Sequence, residues 1–175
     1  YKGRPFYITG ESYAGHYIPA ITAYIIKQDN EDINLISSAI GNGWVDPVVQ
    51  YPEYDKFAVE NELVGAFHHY FLNAGYWVCQ KMIEFGLGII AMEECQIVTT
   101  TILGNPLSPS FNTYDIRKPC SHPPLCYDFD NLDDLIAKKD VREALNVGDR
   151  PWSDCNQVVH TFMLGDWVTD LSPKV

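Results

Sequence analysis

Apolar and polar positions change their period several times along this chain, and the changes mark out its elements. Residues 5–9, Pro5-Phe6-Tyr7-Ile8-Thr9, form a short apolar run stopped by Gly10, which has the length and content of a buried strand. Over 13–27, apolar residues recur at Tyr17, Ile21, Tyr24 and Ile25, a helical spacing. Residues 34–40 read as a second strand, closed by Gly41 and Gly43. Strand, helix and strand with short connections make a βαβ unit whose strands should be parallel neighbours. Pattern alone therefore gives α/β architecture.

Beyond Asp46-Pro47 the pattern turns helical. Tyr54, Phe57, Ala58, Leu63 and Phe67 predict an amphipathic helix over 51–70. Further helices are expected over about 76–85 and 92–102. Residues 106–124 are rich in Pro, Ser and Asn and read as loop. A last helix is expected over 132–147, capped by Asp130 or Asn131 and stopped by Gly148. No strand signal of any length occurs between Pro47 and Val159, and no repeat or low-complexity tract is present.

Composition narrows the class. The 175 residues are 46% hydrophobic and 13% aromatic, enough apolar matter for a packed core. A formal net charge of −11 speaks against nucleic acid and against anionic membranes as partners, and it is compatible with work at low pH. The longest apolar stretch, residues 86–92, is far too short to cross a bilayer. Five cysteines lean towards an oxidising compartment, and the odd number leaves one without a partner in this chain. Cys120 and Cys126 bracket a short loop holding Pro123 and Pro124, which suits a small disulfide loop. Cys79 and Cys95 are placed to pair across a helical hairpin, leaving Cys155 over. No cysteine or histidine completes a zinc spacing, so no metal or cofactor is expected. There is no Asn-x-Ser/Thr acceptor for N-glycosylation.

The densest chemical signal is Gly10-Glu11-Ser12-Tyr13-Ala14-Gly15. A serine two residues beyond a strand-ending glycine, with small residues opening the helix after it, is how a nucleophilic hydroxyl is raised on a sharp strand-to-helix turn. Gly10, Ala14 and Gly15 are small because the helix must pack close to the strand. The spacing departs from strict G-x-S-x-G, since Ala14 holds the last position. By spacing alone, a serine in an ordinary turn or at a helix N-cap remains a competing account.

The wording of the motif goes further. Gly10-Glu11-Ser12-Tyr13-Ala14-Gly15-His16-Tyr17-Ile18-Pro19 closely resembles the nucleophile region of the serine carboxypeptidases, α/β-hydrolase peptidases that work at acid pH. Ala39-Ile40-Gly41-Asn42-Gly43-Trp44-Val45-Asp46-Pro47 resembles that family's next core strand and its turn. Tyr114-Asp115-Ile116-Arg117-Lys118-Pro119-Cys120 with Leu125-Cys126-Tyr127 resembles its insertion signature. Asp140-Val141-Arg142-Glu143-Ala144-Leu145 and Ser153-Asp154-Cys155 follow in the family's order.

The resemblance implies an α/β-hydrolase fragment, with a parallel βαβ core and an inserted, mainly helical cap. Residues 1–46 would be core, 47–160 cap, and 161–175 a return to core. Ser12 would be the nucleophile, and the backbone N–H of Tyr13 one donor of the oxyanion hole. The family's order is Ser, Asp, His. His16 lies along the helix and does not face back over the turn; His68 and His69 fall in the cap, where solvation is expected; His122 sits in the small disulfide loop. His160 precedes Gly165-Asp166-Trp167, which resembles the helix ahead of the catalytic Asp strand. The triad Asp and His are therefore expected beyond Val175, and the glycine-rich oxyanion loop and a second glutamate upstream of Tyr1. Glu11 would bind the substrate's C-terminal carboxylate while protonated, a state favoured by burial and a neighbouring carboxylate. Tyr13, Trp44 and Tyr114 would line the pocket for the residue preceding the scissile bond, and Cys155 would bond to a cysteine upstream of the nucleophile. Asn42 and Asp46 read as turn residues, and Arg117 as a structural partner of Asp115 or Asp128.

The activity implied is release of single residues from peptide or protein C-termini through an acyl-enzyme, in a secretory, vacuolar/lysosomal or extracellular setting. Acyl transfer from an ester donor on the same scaffold, and a non-catalytic binding partner, are the alternatives. The 175-residue piece alone is expected to be inactive and poorly folded, with unpaired strand edges.

Overall fold

The computed structural model describes residues 1–153 and 156–171. Its elements are β1 (Pro5–Glu11), α1 (Ala14–Gln28), β2 (Asn34–Gly41), α2 (Pro47–Glu60), α3 (Ala66–Glu84), α4 (Gly88–Leu103), α5 (Asp130–Ala137), α6 (Lys139–Leu145) and α7 (Gln157–Met163). They fall into two compact units, Tyr1–Gln96 with Leu164–Val175, and Ile97–Met163.

In the first unit β1 and β2 pair in parallel, in register from Pro5 opposite Asn34 to Glu11 opposite Gly41, with one irregularity between Phe6 and Tyr7. This is the expected βαβ unit, with α1 as its crossover. The strands are not buried, however. Tyr7 is 57% exposed and Ile36 53%, because each strand has one neighbour among the described residues and the other edge is open. The apolar run is correct as strand and wrong as buried strand in this chain.

The core of this unit lies instead against α2, α3 and α4, around Tyr51, Ala58, Leu72, Tyr76, Ala91 and Met92. A disulfide joins Cys79 on α3 to Cys95 on α4. Buried Asp55 of α2 is met by His69 of α3, whose Nδ1 lies 2.9 Å from Oδ1; His69 is thus a half-exposed partner and not a freely solvated side chain. Pro52 sits inside α2 and has no N–H for the carbonyl of Val48. Gln80 Nε2, from α3, donates to that oxygen instead, at 2.7 Å.

The helix expected over 51–70 is two helices. Glu62 adopts φ 57°, and the N–H groups of Glu62 and Leu63 return to the carbonyls of Val59 and Ala58 at 3.1 and 2.8 Å. That is a Schellman stop built on glutamate, so the glycine that usually announces it is missing. The stretch expected over 76–85 is the later part of α3. The helix expected over 132–147 is likewise α5 and α6, separated by extended Lys138. Asp130 is the first helical residue and not a cap, and Asp128 Oδ1 accepts its N–H at 2.9 Å. The stop is Asn146 at φ 55°, ahead of Gly148.

In the second unit, a disulfide joins Cys120 and Cys126. Asn112, buried, accepts the N–H groups of Tyr114 and Asp115 on its Oδ1 at 2.9 and 3.1 Å. Among the described residues, no strand occurs beyond Gly41, and no helix is long and apolar enough to cross a membrane.

Candidate active site

The turn between β1 and α1 is held by steric necessity. A Cβ on Gly10 would stand 2.6 Å from the Ala14 Cβ and 3.1 Å from Ile18 Cδ1. On Gly15 it would stand 2.5 Å from both the backbone nitrogen and oxygen of Trp44. Neither position admits a side chain, so α1 lies directly on the strand and on the loop after β2. Between them Ser12 takes φ 60°, a left-handed conformation that costs an L-residue about 1–2 kcal/mol. It is exposed. Its backbone is fixed at both ends: the N–H donates to the Gly41 carbonyl at 3.0 Å, and the carbonyl accepts from Gly15 N and Trp44 N, each at 3.0 Å. A strained, pinned and exposed serine on a strand-to-helix turn is the geometry of a presented nucleophile.

The loop after β2 is shaped by a residue that sequence reasoning missed. Gln50, in the first turn of α2, accepts the N–H groups of Val45 and Asp46 on Oε1 at 2.7 and 2.9 Å and donates from Nε2 to the Gly43 carbonyl at 2.8 Å. Asp46 caps the same helix by accepting Val49 N–H at 3.3 Å. Asn42, at φ 46°, makes the turn.

Tyr13 and His16 face residues 164–171, whose role no local spacing reveals. The Tyr13 hydroxyl donates to Asp166 Oδ2 at 3.0 Å. Burial first, and the Asp166 carboxylate second, push that phenol well above its ordinary range, so it stays neutral. His16 is 3% exposed; its Nδ1 lies 2.6 Å from the Trp44 carbonyl and its Nε2 2.9 Å from the Asp166 carbonyl. With both nitrogens engaged by backbone, His16 has none left to serve as the base for Ser12. Its ring stacks on Tyr13 at 4.8 Å, and Tyr13 in turn contacts Trp167 at 5.2 Å.

Trp44 is 9% exposed. Its indole N–H donates to the Trp167 carbonyl at 2.7 Å, and its ring meets Tyr51 edge-on at 4.8 Å. The Trp167 indole donates to the Tyr51 hydroxyl at 3.1 Å, and burial outweighs that bond in pushing the Tyr51 phenol up to about 12. Glu11 ends β1 opposite Gly41 and is exposed; the burial that proton sharing would need is not supplied by the described residues. The first unit thus gathers Glu11, Ser12, Tyr13 and Trp44 around one turn.

Tyr114 belongs to the second unit. It is 64% exposed and lies beside Tyr127 with ring centroids 6.0 Å apart. The Asx turn of Asn112 that carries it is followed by Asp115, which takes Arg117 in two bonds of 2.7 and 3.0 Å. That guanidinium holds the Asp115 carboxyl well below the usual carboxylate range. Arg117 therefore pairs with Asp115, one of the two partners expected. Cys155 lies outside the described residues. Among the described residues no group of three or more His, Cys, Asp or Glu is placed to hold a metal ion.

Known proteins are similar to this chain in sequence and in fold. Serine carboxypeptidase-like 47 of Arabidopsis thaliana is 38% identical over 180 residues, covering 97% of this chain and 35% of its own length. Serine carboxypeptidase 3 of Hordeum vulgare is 38% identical over 175 residues, covering 95% of this chain and 34% of its own length. The chain therefore spans about a third of the length of these curated relatives. The crystal structure of Kex1(delta)p, a prohormone-processing carboxypeptidase from Saccharomyces cerevisiae, matches with a TM-score of 0.71 at 24% identity, over 95% of this chain and 40% of that one. That likeness shows the fold, a segment of the α/β-hydrolase type expected from the sequence. The family model described as serine carboxypeptidase, Peptidase S10, matches residues 1–175, and the chain belongs to the serine carboxypeptidase family.

Proposed function

We propose that this chain carries the nucleophile of an enzyme that removes single residues from peptide C-termini through an acyl-serine at acid pH. The observation that supports it most directly is Ser12, exposed at φ 60° on a turn closed by Gly10 and Gly15. In this account Ser12 Oγ attacks the scissile carbonyl while a histidine elsewhere in the full protein takes its proton. The oxyanion that forms is met by the Tyr13 N–H. Collapse expels the C-terminal residue as its amine, which receives the proton, and water then releases the acyl group from Ser12. Glu11, beside Ser12 on the same turn, would hold the departing residue's carboxylate through a shared proton, which gives both exopeptidase specificity and an acid optimum. Trp44 would help shape the pocket for the residue preceding the scissile bond.

Residues 1–46 and 161–175 would then serve as core and 47–160 as cap. Two disulfides favour an oxidising, secretory setting. The test is to treat the full-length protein with a fluorophosphonate serine probe at about pH 5 and to map the modified peptide. Label on Ser12, lost in Ser12→Ala, is the expected result. A folded protein that takes no label would favour a non-catalytic binding role. A labelled protein that consumes ester donors and leaves peptides intact would be an acyltransferase.

A further inference from the structure

His16 has no part in the chemistry just described, yet it is among the most completely buried polar residues of the first unit. Both ring nitrogens meet backbone carbonyl oxygens, Trp44 O at 2.6 Å and Asp166 O at 2.9 Å. A carbonyl oxygen only accepts, and a neutral imidazole has only one N–H. In either neutral tautomer one nitrogen would turn its lone pair on a carbonyl oxygen, leaving a buried acceptor unsatisfied. Only the imidazolium, with two donors, satisfies both contacts.

What the two carbonyls belong to makes this matter for Ser12. Trp44 is held on both sides of its residue: its N–H donates to the Ser12 carbonyl at 3.0 Å and its carbonyl accepts from His16. Asp166 is also held twice, by His16 at its carbonyl and by Tyr13 at its carboxylate. Tyr13, at the N-cap of α1, stacks on His16 in its first turn, so this end of the helix grips both neighbouring segments while Ser12 stands just before it.

We infer that His16 is a positioning residue, a doubly donating imidazolium that clamps the Ser12 turn to the Trp44 loop and the Asp166 segment, so that loss of its second proton loosens the nucleophile. This rests on the reading of Ser12 as nucleophile. Titratable groups come close to His16 and its two carbonyl partners from several elements. They include Tyr13 at the N-cap of α1 and Tyr17 on it, Asp166 on the facing segment, Asp46 after β2 with its carboxylate turned to Val49 N, Glu11 at the end of β1, and Tyr51 and Tyr54 of α2 against Trp44. None of these named groups is a cation, so the cost to the imidazolium is its own burial, which its two charge-assisted bonds to carbonyl oxygens would offset. The clamp would add an alkaline limit to activity that acts on the nucleophile and not on substrate binding.

The experiment follows the rate of fluorophosphonate labelling of Ser12 in the full-length enzyme across pH, together with nitrogen-15 signals of the His16 ring. The probe has no C-terminal carboxylate, so Glu11 drops out of the profile. Expected in the wild type is a decline of labelling towards alkaline pH, with the midpoint at which the His16 ring loses its second proton. His16→Gln keeps one donor at every pH; it should label about tenfold more slowly at acid pH, the equivalent of one hydrogen bond, and lack the decline. A neutral His16 tautomer at about pH 5, or a ring that titrates while labelling stays constant, would overturn the clamp. So would the same alkaline decline in His16→Gln. The ring signals decide the question in the wild type even where that variant fails to fold. Absence of label at every pH with the imidazolium in place would remove the nucleophile reading and leave the clamp standing as architecture.

Discussion

At Gly15 one hydrogen atom occupies a space where a methyl group would enter the peptide of Trp44. The obstacle is backbone on both sides and cannot rotate away, so Gly15→Ala is expected to cost on the order of 3 kcal/mol, measured as a lowered denaturant midpoint of the full-length protein. Tyr13 allows a second prediction. Removing its hydroxyl deletes a bond to a carboxylate, worth about 1.5–3 kcal/mol. Because the phenol is pushed up by burial and by Asp166, the sign is fixed: the contribution is complete below the unfolded tyrosine range and is lost only as pH rises towards the folded value. The cost of Tyr13→Phe should therefore be the same at about pH 5 and about pH 8; a cost confined to one of them would contradict an origin in the phenol's bond to Asp166. Ser12 and its flanking glycines were legible in the sequence because close packing leaves no choice of residue type. Gln50, and the joint grip of His16 and Tyr13 on Asp166, were not, because each joins positions through space with no fixed spacing to betray them.

Elements follow the same division. The βαβ unit could be read to within a residue or two because its glycines and its alternation of periods are local. The α2–α3 break could not, because Glu62 holds the left-handed position that a glycine would have advertised, and an amphipathic pattern runs on through it. The Pro52 gap shows how elements are keyed together. Gln80→Ala should leave the Val48 carbonyl without a donor and cost about 1–2 kcal/mol. On a Pro52→Ala background the helix supplies its own N–H, and the same substitution should cost only a few tenths. A double-mutant cycle in urea checks this: equal costs in both backgrounds would show that Gln80 acts by packing alone.

For the whole molecule, the open edges of a two-stranded sheet dominate. Phe6, Tyr7 and Ile36 present apolar side chains from strands that lack further neighbours among the described residues, the arrangement most prone to edge-to-edge pairing. The 175-residue chain expressed alone is expected to self-associate with rising concentration, seen by light scattering; a monomer at all concentrations would mean the edges are covered in solution. Folding order adds a last consequence. Tyr13 and Asp166 are 153 positions apart, and His16 and Asp166 150. A ribosome therefore delivers Ser12 long before the segment that braces its turn, and contacts so distant in sequence close late. The nascent chain carries its serine unbraced while those intervening residues are made, so the pinned geometry of Ser12 is complete only after that stretch has been synthesised.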